Sequence, residues 1–135
     1  MIELKRAYEE PSPADGRRIL VERLWPRGLT KQKAALDLWL KETAPSDELR
    51  RWFAHDISRW PEFRRRYRNE LRNHPDELAL LRRLSAEGRV TFVYGAHDEQ
   101  HNSALVLREV VEDSARSQVG APDGVAGVGV GDQTG

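Results

Sequence analysis

Apolar and polar positions alternate at the start of the chain, in "IELKRAY", and this predicts a first strand. A turn-rich stretch follows, "EEPSPADGR", with two prolines and then Asp15-Gly16. "RILVERLW" opens on a continuous apolar run, as a strand covered on both faces does. Thr30 is a candidate N-cap beyond Gly28, and Leu36, Trp39 and Leu40 share one face of a helix expected over 34–42. Ser46 caps the next helix, with Asp47 and Glu48 at its positive end and Leu49, Trp52 and Phe53 as its apolar stripe. Pro61 suits the first turn of a third helix, where Trp60, Phe63, Tyr67 and Leu71 recur at helical spacing. Pro75 and Asp76 start a fourth, with Leu78, Leu81 and Leu84 inward and Gly88 as its stop. "VTFVY", 90–94, reads as a strand, "GAHDEQ" as a polar loop, and Asn102 or Ser103 as the cap of a last helix. Strands joined through helices predict an α/β fold: a small, mostly parallel sheet flanked by helices, in a single domain. The link between the first two strands is short, and fits either a tight crossover or an antiparallel connection.

Composition narrows the function classes. With 135 residues the chain is of one-domain size, and 22 basic residues balance 22 acidic ones. That argues against a wholesale nucleic-acid or anionic-membrane binder, while leaving room for a local basic patch. The absence of cysteine excludes disulfides, a thiol nucleophile and thiolate metal sites, and fits a reducing cytoplasm. The N-terminus is charged at once and lacks signal-peptide character, and no apolar run approaches the ~18–20 residues of a membrane helix. Residues 114–135 are glycine-rich, without aromatic residues or amphipathic period, and are expected to be a disordered tail to a domain of residues 1–113.

Ligands of open α/β sheets bind beyond the carboxyl ends of the strands. Two such ends are visible: Glu22-Arg23 running into "LWPRG", and Tyr94 running into "GAHDEQHN". If these strands are parallel neighbours, Glu22, Arg23 and Arg27 face Asp98, His101 and Asn102, beside the amides of the last helix. Paired arginines fork onto a phosphate or carboxylate. The expected ligand is therefore a small anion, a nucleotide or phosphorylated metabolite, held by Arg23, Trp25, Arg27, His55, Tyr94 and Asn102. Glu22, Asp98 and His101 are the candidates for acid–base hydrolase or transferase chemistry. The competing reading is a non-catalytic binding or regulatory module for nucleic acid or a protein partner. His97 and His101 stand four apart, and with His55 they could form a metal site, but caps and hydrogen bonds in a loop explain them better. No nucleophile motif is present, and no cofactor is specified. Arg64, Arg65 and Arg68 offer a basic helix face for nucleic acid, against which Glu62 and Glu70 argue for local ion pairs.

"RAYE…DGRRILVERLWPRG", "APSDELRRWFAHD" and "VTFVYGAHDEQHNSALVL" resemble, in that order, the YeaO-like branch of the domain-of-unknown-function family 488, over essentially all of residues 1–113. The resemblance implies a small cytoplasmic, bacterial type of protein and a set of site positions, but supplies no activity. It carries over Arg23, Trp25, Pro26, Arg27, Gly28, Pro45, Ser46, Leu49, Arg50, His55, Trp60, Phe63, Tyr67, Asp98, His101, Asn102 and Ala104. Glu22 stands where the family's "VDRLWPRG" has aspartate, so the carboxylate reaches one methylene further. His97 stands at a lysine position, and Lys31 or Lys33 matches the lysine after that loop.

Overall fold

In the computed structural model, which describes residues 2–120 and side chains as far as 113, four parallel strands form one sheet in the order β1-β4-β2-β3. β1 is Ile2–Arg6, β2 Arg17–Leu20, β3 Leu38–Trp39 and β4 Val90–Tyr94. β4 is wholly buried, as its β-branched and aromatic sequence requires, and pairs on both edges: Ile2–Arg6 lies in register with 90–94, and Arg17–Leu20 with 90–93. Five α-helices are described: α1 Lys31–Ala34, α2 Asp47–Phe53, α3 Trp60–Leu71, α4 Pro75–Glu87 and α5 Ser103–Gly120. The α/β class and the single domain are as the sequence predicts. α5 carries into the start of the expected tail, and residues 121–135 lie outside the described residues.

The two faces of the sheet are unequal. Ile19, Val21, Val90, Phe92 and Tyr94 pack with Phe63, Tyr67, Leu81, Leu107 and Val111 of the long helices. Ala7, Leu20 and Val93 are covered on the other face only by Trp25, Leu29, Leu36 and Trp39. That second cluster explains the one misread element. The expected helix over 34–42 is instead the short α1, capped by Thr30 and ended by Ala35 in the left-handed region at φ 48°, followed by β3. The free edge of β2 needs a partner, and Leu38 and Trp39 supply it opposite Ile19 and Leu20. The Asp37 carboxylate accepts from the Arg18 N–H at 2.8 Å and fixes that register. The spacing of Leu36, Trp39 and Leu40 fits a helix, but Leu38 and Leu40 face the helical layer while Trp39 faces the other.

The link from β1 to β2 is the tight crossover, and a buried charge network holds it. The Arg18 guanidinium donates to the carbonyls of Ala34 and Ala35 and, at 2.7 Å, to the Asp15 carboxylate. Asp15 also accepts from Lys5 and the Ser12 N–H, while its own carbonyl accepts from the Thr91 hydroxyl. Burial alone would raise the Asp15 carboxyl, but the Ser12 N–H, Lys5 and Arg18 together hold it below its ordinary value. Gly16 beside it is obligatory: it sits at φ 65°, and a Cβ there would lie 2.2 Å from the Arg89 carbonyl oxygen.

Removing one partner of a buried charged pair strands the other. Arg18→Ala should therefore cost ~3–5 kcal/mol of folding stability, read from denaturant melts. A loss below ~1 kcal/mol, the range of an exposed ion pair, would show that this network does not anchor the crossover.

Candidate functional site

Because β2 and β4 are adjacent and parallel, their carboxyl ends open side by side. β2 itself ends at Leu20; the Val21 N–H still donates to the Val93 carbonyl, and the chain then leaves the sheet, so that 22–25 is not strand. Glu22 turns back across the gap, and its Oε2 accepts from the Gly95 N–H at 3.1 Å. This bond ties the two strand ends together at the base of a cleft of about 760 Å³. Of the residues expected at a site, Glu22, Arg23, His55, Asp98, His101 and Asn102 line it, joined by Arg50, Arg51, Phe53, Phe63 and His97.

Three of the expected residues are not in the lining. Trp25 belongs to the other face of the sheet: its indole N–H donates to the Leu29 carbonyl, and its ring meets Trp39 edge-on at 5.4 Å. Arg27 is exposed, in a loop pinned by the Tyr8 hydroxyl to the Arg27 carbonyl. Tyr94 is in the core beneath the helices. The first two corrections share a cause: the chain leaves the sheet after Val21, so "LWPRG" does not run toward β4; Tyr94 instead follows Val90 and Phe92 onto the helix-covered face of β4.

Local sequence explains how each wall is built. Asp98 makes a tight polar turn before α5: its carboxylate accepts from the N–H groups of Gln100 and His101 and meets His101 Nδ1 at 2.9 Å. These contacts, the Gln100 N–H first, hold the Asp98 carboxyl below its ordinary value. Asn102 then caps α5 by accepting from the Leu105 N–H, while its amide donates to the Asp98 carbonyl. The opposite wall is α2. Ser46 caps it by accepting from the Leu49 N–H and is itself held by the Glu70 carboxylate, at 2.9 Å to its N–H and 2.6 Å to its hydroxyl. Ala54 and His55 follow at φ 46° and 59°, two successive left-handed residues that reverse the chain and carry the His55 ring to the cleft. Phe53 and Phe63, stacked at 4.5 Å, form the apolar part of the lining.

The charges divide into engaged and open groups. Arg23 donates to the carbonyls of Pro45 and Ala44, and Arg50 is paired with Asp47. His97 Nδ1 meets Arg6 at 3.2 Å. His101 is fixed between Asp98 and Trp60, whose ring it meets in a T-shaped contact at 5.3 Å. Among the described residues, Arg51 has no hydrogen-bond or ion-pair partner and His55 no hydrogen bond. Glu22 is half-buried; desolvation raises its carboxyl above the ordinary value, against the Gly95 N–H and the nearby Arg50 and His55. Arg51 carried no motif signal: it is one of several arginines in the sequence, and only the fold separates it from those with partners. No group of three His, Cys, Asp or Glu side chains suited to a metal ion occurs among the described residues.

The profile described as "Inactive DUF488-N3 subclade" matches residues 1–125. This chain belongs to that DUF488 subclade. Uncharacterized protein YeaO of Escherichia coli K12 is 42% identical over 108 residues, which covers 80% of this chain and 94% of YeaO. Uncharacterized protein Rv3073c of Mycobacterium tuberculosis H37Rv and Mb3100c of Mycobacterium bovis are each 38% identical over 110 residues, 82% of this chain and 92% of each relative. No solved structure matches. The DUF488 match spans both strand ends and every cleft residue named here.

The raised carboxyl has a consequence for stability. A glutamate whose proton is held more tightly in the folded state destabilises the fold while ionised, and relief comes as pH falls through the folded-state value. Glu22→Gln keeps an acceptor for the Gly95 N–H. It should melt higher than the wild type at neutral pH, with the advantage shrinking as pH falls toward the ordinary glutamate value of 4.5. A difference that stays constant between pH 8 and 4 would contradict this environment for Glu22.

Proposed function

We propose that this protein binds a small anionic ligand, a nucleotide or phosphorylated metabolite, in the cleft at the ends of β2 and β4, and does so without turnover. One observation carries the reading. The side chains that acid–base chemistry would use are engaged: Glu22 by the Gly95 amide, and Asp98 by the turn and His101. Among the described residues, the basic groups left open in the same lining are a guanidinium, Arg51, and an imidazole, His55, alongside one oxygen of Glu22. Ser103 at the start of α5 lies in the lining as well, so the positive end of that helix favours the same ligand charge. The volume suits a ligand of nucleotide size. A subclade described as inactive is consistent with binding alone, as is a chain without a cysteine nucleophile.

A cytoplasmic location belongs to this reading, supported by the lack of cysteine. No described helix is long and apolar enough to cross a membrane. Nucleic-acid binding through α3 is less well supported, because its arginines are paired. Arg65 and Arg66 both hold Glu62, whose carboxyl is pushed down to about 2 by those two hydrogen bonds, and Arg64 and Arg68 share Glu109.

Thermal shift of the full chain against nucleotides, phosphorylated metabolites and inorganic phosphate tests the proposal. A ligand at 100 times its dissociation constant should add ~2.7 kcal/mol of stability. Arg51→Ala and His55→Ala should abolish the shift, and Arg27→Ala, outside the cleft, should leave it. A shift lost in Arg27→Ala but kept in Arg51→Ala would move the site elsewhere.

A further inference from the structure

The cleft has a chemical polarity beyond its attraction for anions. Its open basic groups, Arg51 and His55, are exposed, whereas Glu22 is set deeper, half-buried between the strand ends. Only one Glu22 oxygen is used within the chain; Oε1 has no hydrogen-bond partner among the described residues, and it is not among the buried atoms left unsatisfied, so it is open to the cleft. Phe53 and Phe63, both almost fully buried, border the same lining and make part of it apolar. A ligand that fills this space needs N–H donors at its inner end, an apolar middle and an anion at its outer end. A buried acceptor left unanswered by a ligand costs affinity, so the inner end discriminates most sharply.

We infer that Glu22 selects a base, and that the cleft takes a free guanine mononucleotide. Guanine presents two adjacent donors, N1–H and the N2 amino group, which meet the carboxylate as a pair, one on the open Oε1 and one on the second lone pair of Oε2, which also accepts from the Gly95 N–H. Adenine would set its N1 acceptor against the carboxylate. Cytosine offers one donor beside an acceptor, and uracil one donor between two carbonyls. The ring then sits in the apolar middle of the cleft, and the phosphate reaches Arg51, His55 and the start of α5. The paired arginines of α3 leave no open cationic track for a longer strand, which favours a mononucleotide over RNA. The inference rests on the anion-binding reading above and adds the identity of the base to it.

Calorimetric titration of the full chain with GMP, AMP, inorganic phosphate and a guanine-containing RNA tetramer tests it, in the wild type and in Glu22→Gln. GMP should bind roughly 10–100-fold tighter than AMP, the range expected for one good forked contact. Glu22→Gln, whose amide oxygen can still accept from the Gly95 N–H, should melt cooperatively and erase that preference by weakening GMP, while inorganic phosphate still binds. Equal binding of GMP and AMP to the wild type, or a preference that survives in Glu22→Gln, overturns base selection while leaving the anion site standing. Tighter binding of the RNA than of GMP overturns the mononucleotide assignment. Failure of all four ligands to bind removes the anion site along with the inference.

Discussion

β4 donates and accepts hydrogen bonds along both edges, and the parallel register this imposes decides where the cleft lies. A central strand that is buried on both faces cannot shift without exposing Phe92 or Val93. Its neighbours are therefore locked in phase with it, and the ends of β2 and β4 fall level. The Glu22–Gly95 hydrogen bond depends on that levelling, since it joins the first residues to leave each strand's ladder. The cleft is thus a consequence of sheet register first and of loop chemistry second.

Charge serves two purposes in this molecule, and burial separates them. The Asp15–Arg18–Lys5 group closes a crossover whose helical content is one 3-10 turn, Pro13–Asp15; each member is nearly enclosed and satisfied by named partners. On α3 the pairs are exposed, and such pairs contribute little to stability while neutralising the surface. In the cleft the Glu22 carboxylate is drawn partly out of water with one oxygen unpaired, and on α4 one buried nitrogen of Arg82 has no partner among the described residues. A balanced total of acidic and basic residues conceals this, because composition sums over pairs that the fold keeps apart.

Much of the architecture was legible because its signals are local. Ser46, Thr30 and Asn102 cap helices through bonds reaching only three residues, and Pro75 and Gly88 bound α4. The run 90–94 admits one reading because five residues with no polar face must be enclosed. What failed depends on distant partners. Leu38 and Trp39 are a strand because the edge of β2 is vacant without them, a fact that no window around residue 38 contains. Trp25 and Arg27 were expected at the cleft because the strand end was placed at Glu22-Arg23, running into "LWPRG", whereas β2 ends at Leu20 and its ladder at Val21. The site was legible as a meeting of two strand ends, and six of its expected residues do line one cleft. Arg51 was not, because being unpartnered is a property of the folded chain alone.

The one-methylene difference at position 22 bears on the same geometry. An aspartate, as the family motif has it, ends closer to its own backbone than a glutamate does. In this chain the longer side chain reaches the Gly95 N–H with one oxygen and leaves the other open to the cleft. Fixing one oxygen on a backbone amide removes rotamer freedom that a ligand would otherwise have to quench on binding. Preorganisation of that kind raises affinity without any added contact. It also ties the carboxylate's position to the sheet, so the register of β4 against β2 sets where the open oxygen stands in the cleft.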